Sequence, residues 1–64
     1  MEKYCDTCKS HEEHRQLEPQ EKDWLIHRTG RRKVDEFLVC TKPGCRNLRT
    51  GFHKRPFGHH IRLP

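Results

Sequence analysis

A small β fold held together by a metal, with three antiparallel strands and two cysteine turns at one end, is what the sequence predicts. Three observations carry the expectation. Four cysteines fall in two pairs, Cys5-Asp6-Thr7-Cys8 and Cys40-Thr41-Lys42-Pro43-Gly44-Cys45, with thirty-one residues between them. The chain has 64 residues, 30% of them hydrophobic and 36% charged. Its clearest β-branched and aromatic run, Val34 to Cys40, leads straight into the third cysteine. A chain this short makes one domain, and domains of this size commonly need a metal, disulfides or a partner to fold. Each large apolar side chain contributes about 1.5–3 kcal/mol on full burial, against about 1–2 kcal/mol per residue to order the backbone. A staple is therefore expected.

The elements follow in order. Residues 5–8 make the first turn. His11 to Leu17, unbroken by Gly or Pro, reads as a strand leaving it, and Glu18-Pro19-Gln20 interrupts that strand. Residues 21–28 admit two readings. Pro19, the acidic Glu21 and Asp23, and Gly30 as a stop resemble a short helix. Trp24-Leu25-Ile26-His27 ahead of Thr29-Gly30 resembles a hairpin arm, and because Trp and Ile suit strands the arm is expected. Val34 to Cys40 is a strand with Phe37 and Val39 on one face and Glu36, Leu38 and Cys40 on the other. Pro43-Gly44 reverses the chain, and Arg46 to Arg49 forms a further strand ending at Thr50-Gly51. Residues 1–52 are expected as the metal-held domain. Residues 53–64, with Pro56, Gly58 and Pro64, are expected as an extended basic tail that packs through Phe57 and Ile61 or stays mobile.

Metal, not disulfides, is the expected staple. Met1-Glu2-Lys3-Tyr4-Cys5 has no apolar signal core, and no run approaches the ~18 apolar residues of a membrane span. A cytoplasmic, reducing location is expected, and there paired cysteines read as metal ligands. One structural Zn2+ on Cys5, Cys8, Cys40 and Cys45 accounts for both pairs. Structural zinc is tetrahedral and closed by four Cys or His ligands, and a turn with two intervening residues puts two sulfurs on one ion. Drawing Cys8 to Cys40 closes a long loop whose entropy the metal offsets. A local set of Cys5, Cys8, His11 and His14 is the alternative, and it leaves Cys40 and Cys45 without a role. His11 and His14 lack the four-residue spacing of the metalloprotease helix. His59-His60 is a site for adventitious metal.

These two knuckles, with Phe37-Leu38-Val39-Cys40 as a strand entering the second, resemble the zinc-ribbon group. The resemblance covers roughly residues 4–52 and implies a small antiparallel sheet clamped at one end. The second knuckle has four residues between its cysteines where the commonest ribbon has two, and Lys9 stands where a Gly often follows. Cys5-x-x-Cys8-Lys9-Ser10-His11 and Cys40-x-x-Pro43-x-Cys45-Arg46 are also similar to one zinc-ribbon family of archaeal and eukaryotic large-subunit ribosomal proteins. The resemblance implies a place in transcription or translation machinery.

The charge is uneven. Residues 1–27 hold four Lys or Arg against seven Asp or Glu, and residues 28–64 hold ten against two, within a net charge of +5. Such asymmetry points to a polyanion on one face. Arg28, Arg31, Arg32 and Lys33 cluster around Thr29-Gly30. Arg46, Arg49, Lys54, Arg55 and Arg62 follow the second knuckle, interleaved with Phe52, His53, Phe57, His59 and His60. Lys and Arg neutralise phosphates while aromatic rings stack on bases. Nucleic acid, RNA or DNA, or a nucleoprotein machine is the expected partner. The alternative is a protein-interaction module, such as a phage or mobile-element regulator docking on a host protein through the Trp24 region or the tail. No enzyme is expected, because four cysteines close the zinc and no Gly-rich phosphate loop is present.

Overall fold

The computed structural model describes all 64 residues. The chain runs β1 (Glu2–Cys5), β2 (Ser10–Gln16), α1 (Pro19–Thr29), β3 (Phe37–Cys40) and β4 (Leu48–Thr50). The strands form one antiparallel sheet in chain order, β1-β2-β3-β4. There are thus four strands where three were expected. The additional one is β1, which pairs Glu2 with Glu13 and Cys5 with Ser10. Its residues Glu2 and Lys3 carry no apolar alternation. The first knuckle makes it a strand by reversing the chain, with the Lys9 N–H donating to the Cys5 carbonyl at 2.8 Å.

Residues 21–28 are not a hairpin arm; they lie within α1, and end chemistry decides it. Pro19 sits in the first turn, where its missing N–H costs nothing. The Glu18 N–H donates to Glu21 Oε1 at 2.7 Å, satisfying one of the helix's free donors. Arg15 on β2 grips both oxygens of Glu21 at 2.8 Å and so fixes the helix start to the sheet. Gly30 closes the helix in the left-handed region at φ 75°, its N–H donating to Ile26 O at 2.8 Å. The strand preference of Trp24 and Ile26 is weaker than these contacts together.

The remaining strands are shorter than expected. Residues 34–36 form a turn in which the Phe37 N–H reaches Val34 O, and β3 begins at Phe37. Arg46 has φ 55°, which ends the second knuckle and delays β4 to Leu48. The expected alternation on β3 holds: Phe37 and Val39 face the core with Leu17, Leu25, Val34, Leu48, Ile61 and Leu63.

Two of those core residues come from the last stretch of chain, which is not an extended basic tail. It turns back along β4. The Leu48 N–H donates to Ile61 O at 2.9 Å, the Leu63 N–H donates to Arg46 O at 3.0 Å, and Asn47 bridges to Arg62. Phe57 stacks on Phe37 with ring centroids 5.4 Å apart. One face of the sheet therefore lies under α1 and residues 57–63. On β3 and β4 the alternation sends Cys40, Leu38 and Arg49 to the opposite face, where Arg49 reaches the Tyr4 carbonyl of β1 at 2.6 Å.

Candidate metal centre

The two knuckles meet at one end of the sheet. β1 delivers Cys5, and the turn after it returns Cys8. β3 delivers Cys40, and the loop through Gly44, at φ 82°, returns Cys45. In both knuckles the residue after the second cysteine takes the left-handed region, Lys9 at φ 59° and Arg46 at φ 55°. That conformation swings the chain from the knuckle into the next segment. It costs a non-glycine residue about 1–2 kcal/mol.

The four sulfurs cluster. All lie within 4.8 Å of one another, with Cys5 to Cys45 at 3.5 Å and Cys8 to Cys40 at 4.0 Å. Four sulfurs placed about 2.3 Å from a central zinc in a tetrahedron stand about 3.8 Å apart, so the donor set fits one such ion. Cys5, Cys40 and Cys45 are buried and Cys8 is half-buried. None is bonded to another cysteine. The Cys8 N–H points at Cys5 Sγ at 3.4 Å, the kind of donor that steadies a thiolate.

The electrostatics of the bare cluster agree with a place for a cation. Burial pushes the Cys8 thiol far up, reinforced by hydrogen bonds with Cys45, Cys5 and Cys40. Burial likewise raises Cys40 to about 11, with Cys45 and Cys5 adding to it against the Lys42 N–H. Burial also opposes ionisation of Cys45, but the Asn47 N–H and the thiols of Cys8, Cys5 and Cys40 outweigh it and bring Cys45 below its ordinary value. Ionisation is thus eased at Cys45 and opposed at Cys8 and Cys40. A bound dication reverses that, since coordination holds thiols deprotonated. The four cysteines are thus positioned to hold one metal ion and suggest a zinc-binding module.

Neither histidine of the alternative ligand set joins the cluster. His11 is exposed, its ring edge-on to Tyr4 at 5.6 Å. His14 is buried opposite Cys40 on the ladder. Its Nδ1 donates to Glu12 O at 2.8 Å, which leaves Nε2 as a bare acceptor, and burial holds the ring below its ordinary pKa. On the other side of Cys40 stands Asn47, fully buried, whose carbonyl accepts from the Cys40 N–H at 3.0 Å. His14 Nε2 and both polar atoms of the Asn47 side chain have no protein partner.

Reasoning from sequence missed Asp6. It is buried inside the first knuckle, and His60 Nε2 lies 2.6 Å from its Oδ2. Lys9 and Arg55 approach at 3.6 and 3.9 Å. The His60 hydrogen bond, helped by those cations and opposed by burial, holds the Asp6 carboxyl below its usual range. The partners lie fifty-four positions apart, so spacing gave no signal.

Of the basic residues singled out from sequence, Arg28, Arg31, Arg32, Lys33, Arg46, Lys54 and Arg55 are exposed. Arg49 is not: it is 6% exposed, and its guanidinium is spent on the carbonyls of Tyr4, Thr50 and Gly51. Arg31 lies over the rings of Phe57 and Phe37, 5.1 and 5.5 Å from their centroids, so the two basic stretches meet there. Lys54 sits 5.0 Å over Tyr4. Arg46 donates to Pro64 O, and Arg62 to the carbonyls of Cys45 and Gly44. Trp24 is half-buried against the core and lines a shallow groove of about 230 Å³ with Gln20, Glu21, Leu63 and Pro64. No helix is long and apolar enough to cross a membrane. The chain matches no protein-family model, no curated protein and no solved structure.

Proposed function

We propose that the chain is a non-enzymatic module, held by one structural zinc, that engages nucleic acid or a nucleoprotein machine of transcription or translation. The observation that carries this reading is the charge map. Arg28 in the last turn of α1 and Arg31, Arg32 and Lys33 just after it are exposed, and Lys54 and Arg55 are exposed in the segment that Arg31 touches through Phe57. No Asp or Glu follows Glu36 in the sequence. Most acidic side chains lie earlier, on β2 and around α1, with Asp6 in the first knuckle beside Arg55 and Asp35 and Glu36 soon after Lys33. Four thiolates fill the coordination sphere of zinc and leave no position for a catalytic water.

The test is oligonucleotide binding by the zinc-loaded protein across a salt series. Each phosphate neutralised contributes roughly 0.7–0.9 to the slope of log affinity against log salt. The double substitution Arg31→Ala, Arg32→Ala lowers that slope by about 1.5 and weakens binding to every sequence, with zinc content unchanged. Binding that ignores salt, or no binding at all, defeats the reading.

A second reading, a protein-interaction module, is favoured by one feature: the groove beside Trp24 is largely apolar and accessible. It predicts a partner that survives nuclease treatment in affinity purification and is lost on Trp24→Glu.

A further inference from the structure

The turn after β4 carries the most exposed large apolar side chain of the protein. Phe52 is 103% exposed, so its ring has no packing partner in the fold. The turn that presents it is fixed without it. The Thr50 N–H donates to His53 O at 3.0 Å, and the His53 N–H donates to Thr50 Oγ1 at 2.8 Å. Buried Arg49 holds the base of the turn through the carbonyls of Thr50 and Gly51, at 2.7 and 3.3 Å. A ring in this position adds nothing to the core, and its exposure to water is unfavourable. The chain around it is cationic, with one carboxylate near, Asp6 at 3.9 Å from Arg55. Lys54 stands over Tyr4, Arg55 follows, and every ionisable side chain from residue 37 onward is a cysteine, a histidine, a lysine or an arginine.

A protruding aromatic ring on a hydrogen-bonded turn, with cations beside it in the chain, suits one kind of contact in particular. An unpaired base offers its π-face to the ring while its phosphate meets the neighbouring lysine or arginine. A duplex offers the phosphates alone, because its base faces are stacked inside and opening a step has a cost. An apolar pocket on a protein would take the ring, but it would use the positive charge only where acidic groups rim it. We infer that Phe52, with Lys54 and Arg55, forms a stacking site for unpaired bases, so that the nucleic acid bound is single-stranded or looped. The inference rests on the nucleic-acid reading above and narrows it to a strand class and a contact point. Because the turn is already ordered, little conformational freedom is lost on binding.

The experiment uses the full zinc-loaded chain and a fluorescent twelve-nucleotide single strand, alone and annealed to its complement. Phe52→Ala weakens single-strand binding about tenfold, as expected for one lost base–ring stack, and changes duplex binding by less than about twofold. Phe52→Trp restores single-strand affinity. The salt slope is the same in all three proteins, because no phosphate contact has been removed. Full exposure of the ring makes the fold indifferent to either substitution. If Phe52→Ala binds the single strand as the parent does while binding remains salt-dependent, the stacking site is wrong and the nucleic-acid reading stands. Equal losses on single strand and duplex also overturn the stacking site. If the parent binds neither oligonucleotide at any salt, the nucleic-acid reading falls and the stacking site falls with it.

Discussion

Removing the metal should unfold the chain, and the size of the effect follows from the loop that the metal closes. Cys8 and Cys40 bracket thirty-one residues. Cross-linking a loop of that length removes about 3–4 kcal/mol of chain entropy from the unfolded state on the cross-link model. At roughly 0.05–0.15 kcal/mol per residue, a domain of this length holds about 3–10 kcal/mol in total. The loop alone therefore equals a large part of the stability, before the binding energy of the ion is counted. The stripped protein is left with a core of eight buried residues and four crowded thiols. Native mass spectrometry should find one zinc per chain. Addition of chelator should abolish the cooperative thermal transition and shift the emission of Trp24 towards that of water-exposed indole, and zinc should restore both. Cys40→Ser should behave as the stripped protein does at micromolar zinc. A metal-free chain that still melts cooperatively near the holo midpoint would refute the account.

Other consequences are smaller and separable. Ile61→Ala should cost about 2–3 kcal/mol in the zinc-loaded protein, as for a core position, where a loose tail would tolerate it. Denaturant midpoints check it. Glu21→Gln should cost about 1 kcal/mol at pH 7. Arg15 draws the Glu21 carboxyl from 4.5 down to about 2. The full shift would be about 3.4 kcal/mol, reduced here by solvent screening because the Arg15 side chain is 45% exposed. The folded pKa is depressed, so the contribution is whole above pH 4.5 and is lost as pH falls from there towards 2. The deficit of Glu21→Gln should accordingly be equal at pH 7 and pH 5.5 in paired denaturation curves. Lys9→Gly should relieve the left-handed strain of about 1–2 kcal/mol, less the extra freedom of glycine when unfolded, for a net gain of about 0.5 kcal/mol. The melting midpoint should rise by about 2–4 °C, and Lys9→Ala should give no rise.

The cluster of four cysteines was legible because Cys pairs at short spacing carry their chemistry in the residues themselves. The strands ending at Cys40 and leaving Cys8 were legible for a related reason: Phe37 and Val39 alternate as a half-buried strand must, and β2 had no breaker. β1 was not legible, because Glu2 and Lys3 have no pattern and become a strand only through the reversal at Cys5–Cys8. That omission hid the role of Arg49. Arg49 was read with the basic residues after the second knuckle, because nothing local showed that the Tyr4 carbonyl would take its guanidinium. α1 was misread because the strand composition of Trp24-Leu25-Ile26 was weighed above the helix signals of Pro19, Glu21 and Gly30, and the Arg15 contact that reinforces them comes from another element. The fate of Ile61 and Leu63 was undecided because pairing with β4 is a long-range event that local composition does not encode.

The order in which the pieces leave a ribosome follows from the position of Ile61 and Leu63. The fourth sulfur ligand, Cys45, emerges before either of them. The four sulfurs can therefore gather while the faces of Leu25, Val39 and Leu48 still lack their cover. During that interval the nascent protein is pinned at one end and sticky along its middle, a substrate for chaperones. The core closes when the segment carrying Leu63 pairs beside Arg46.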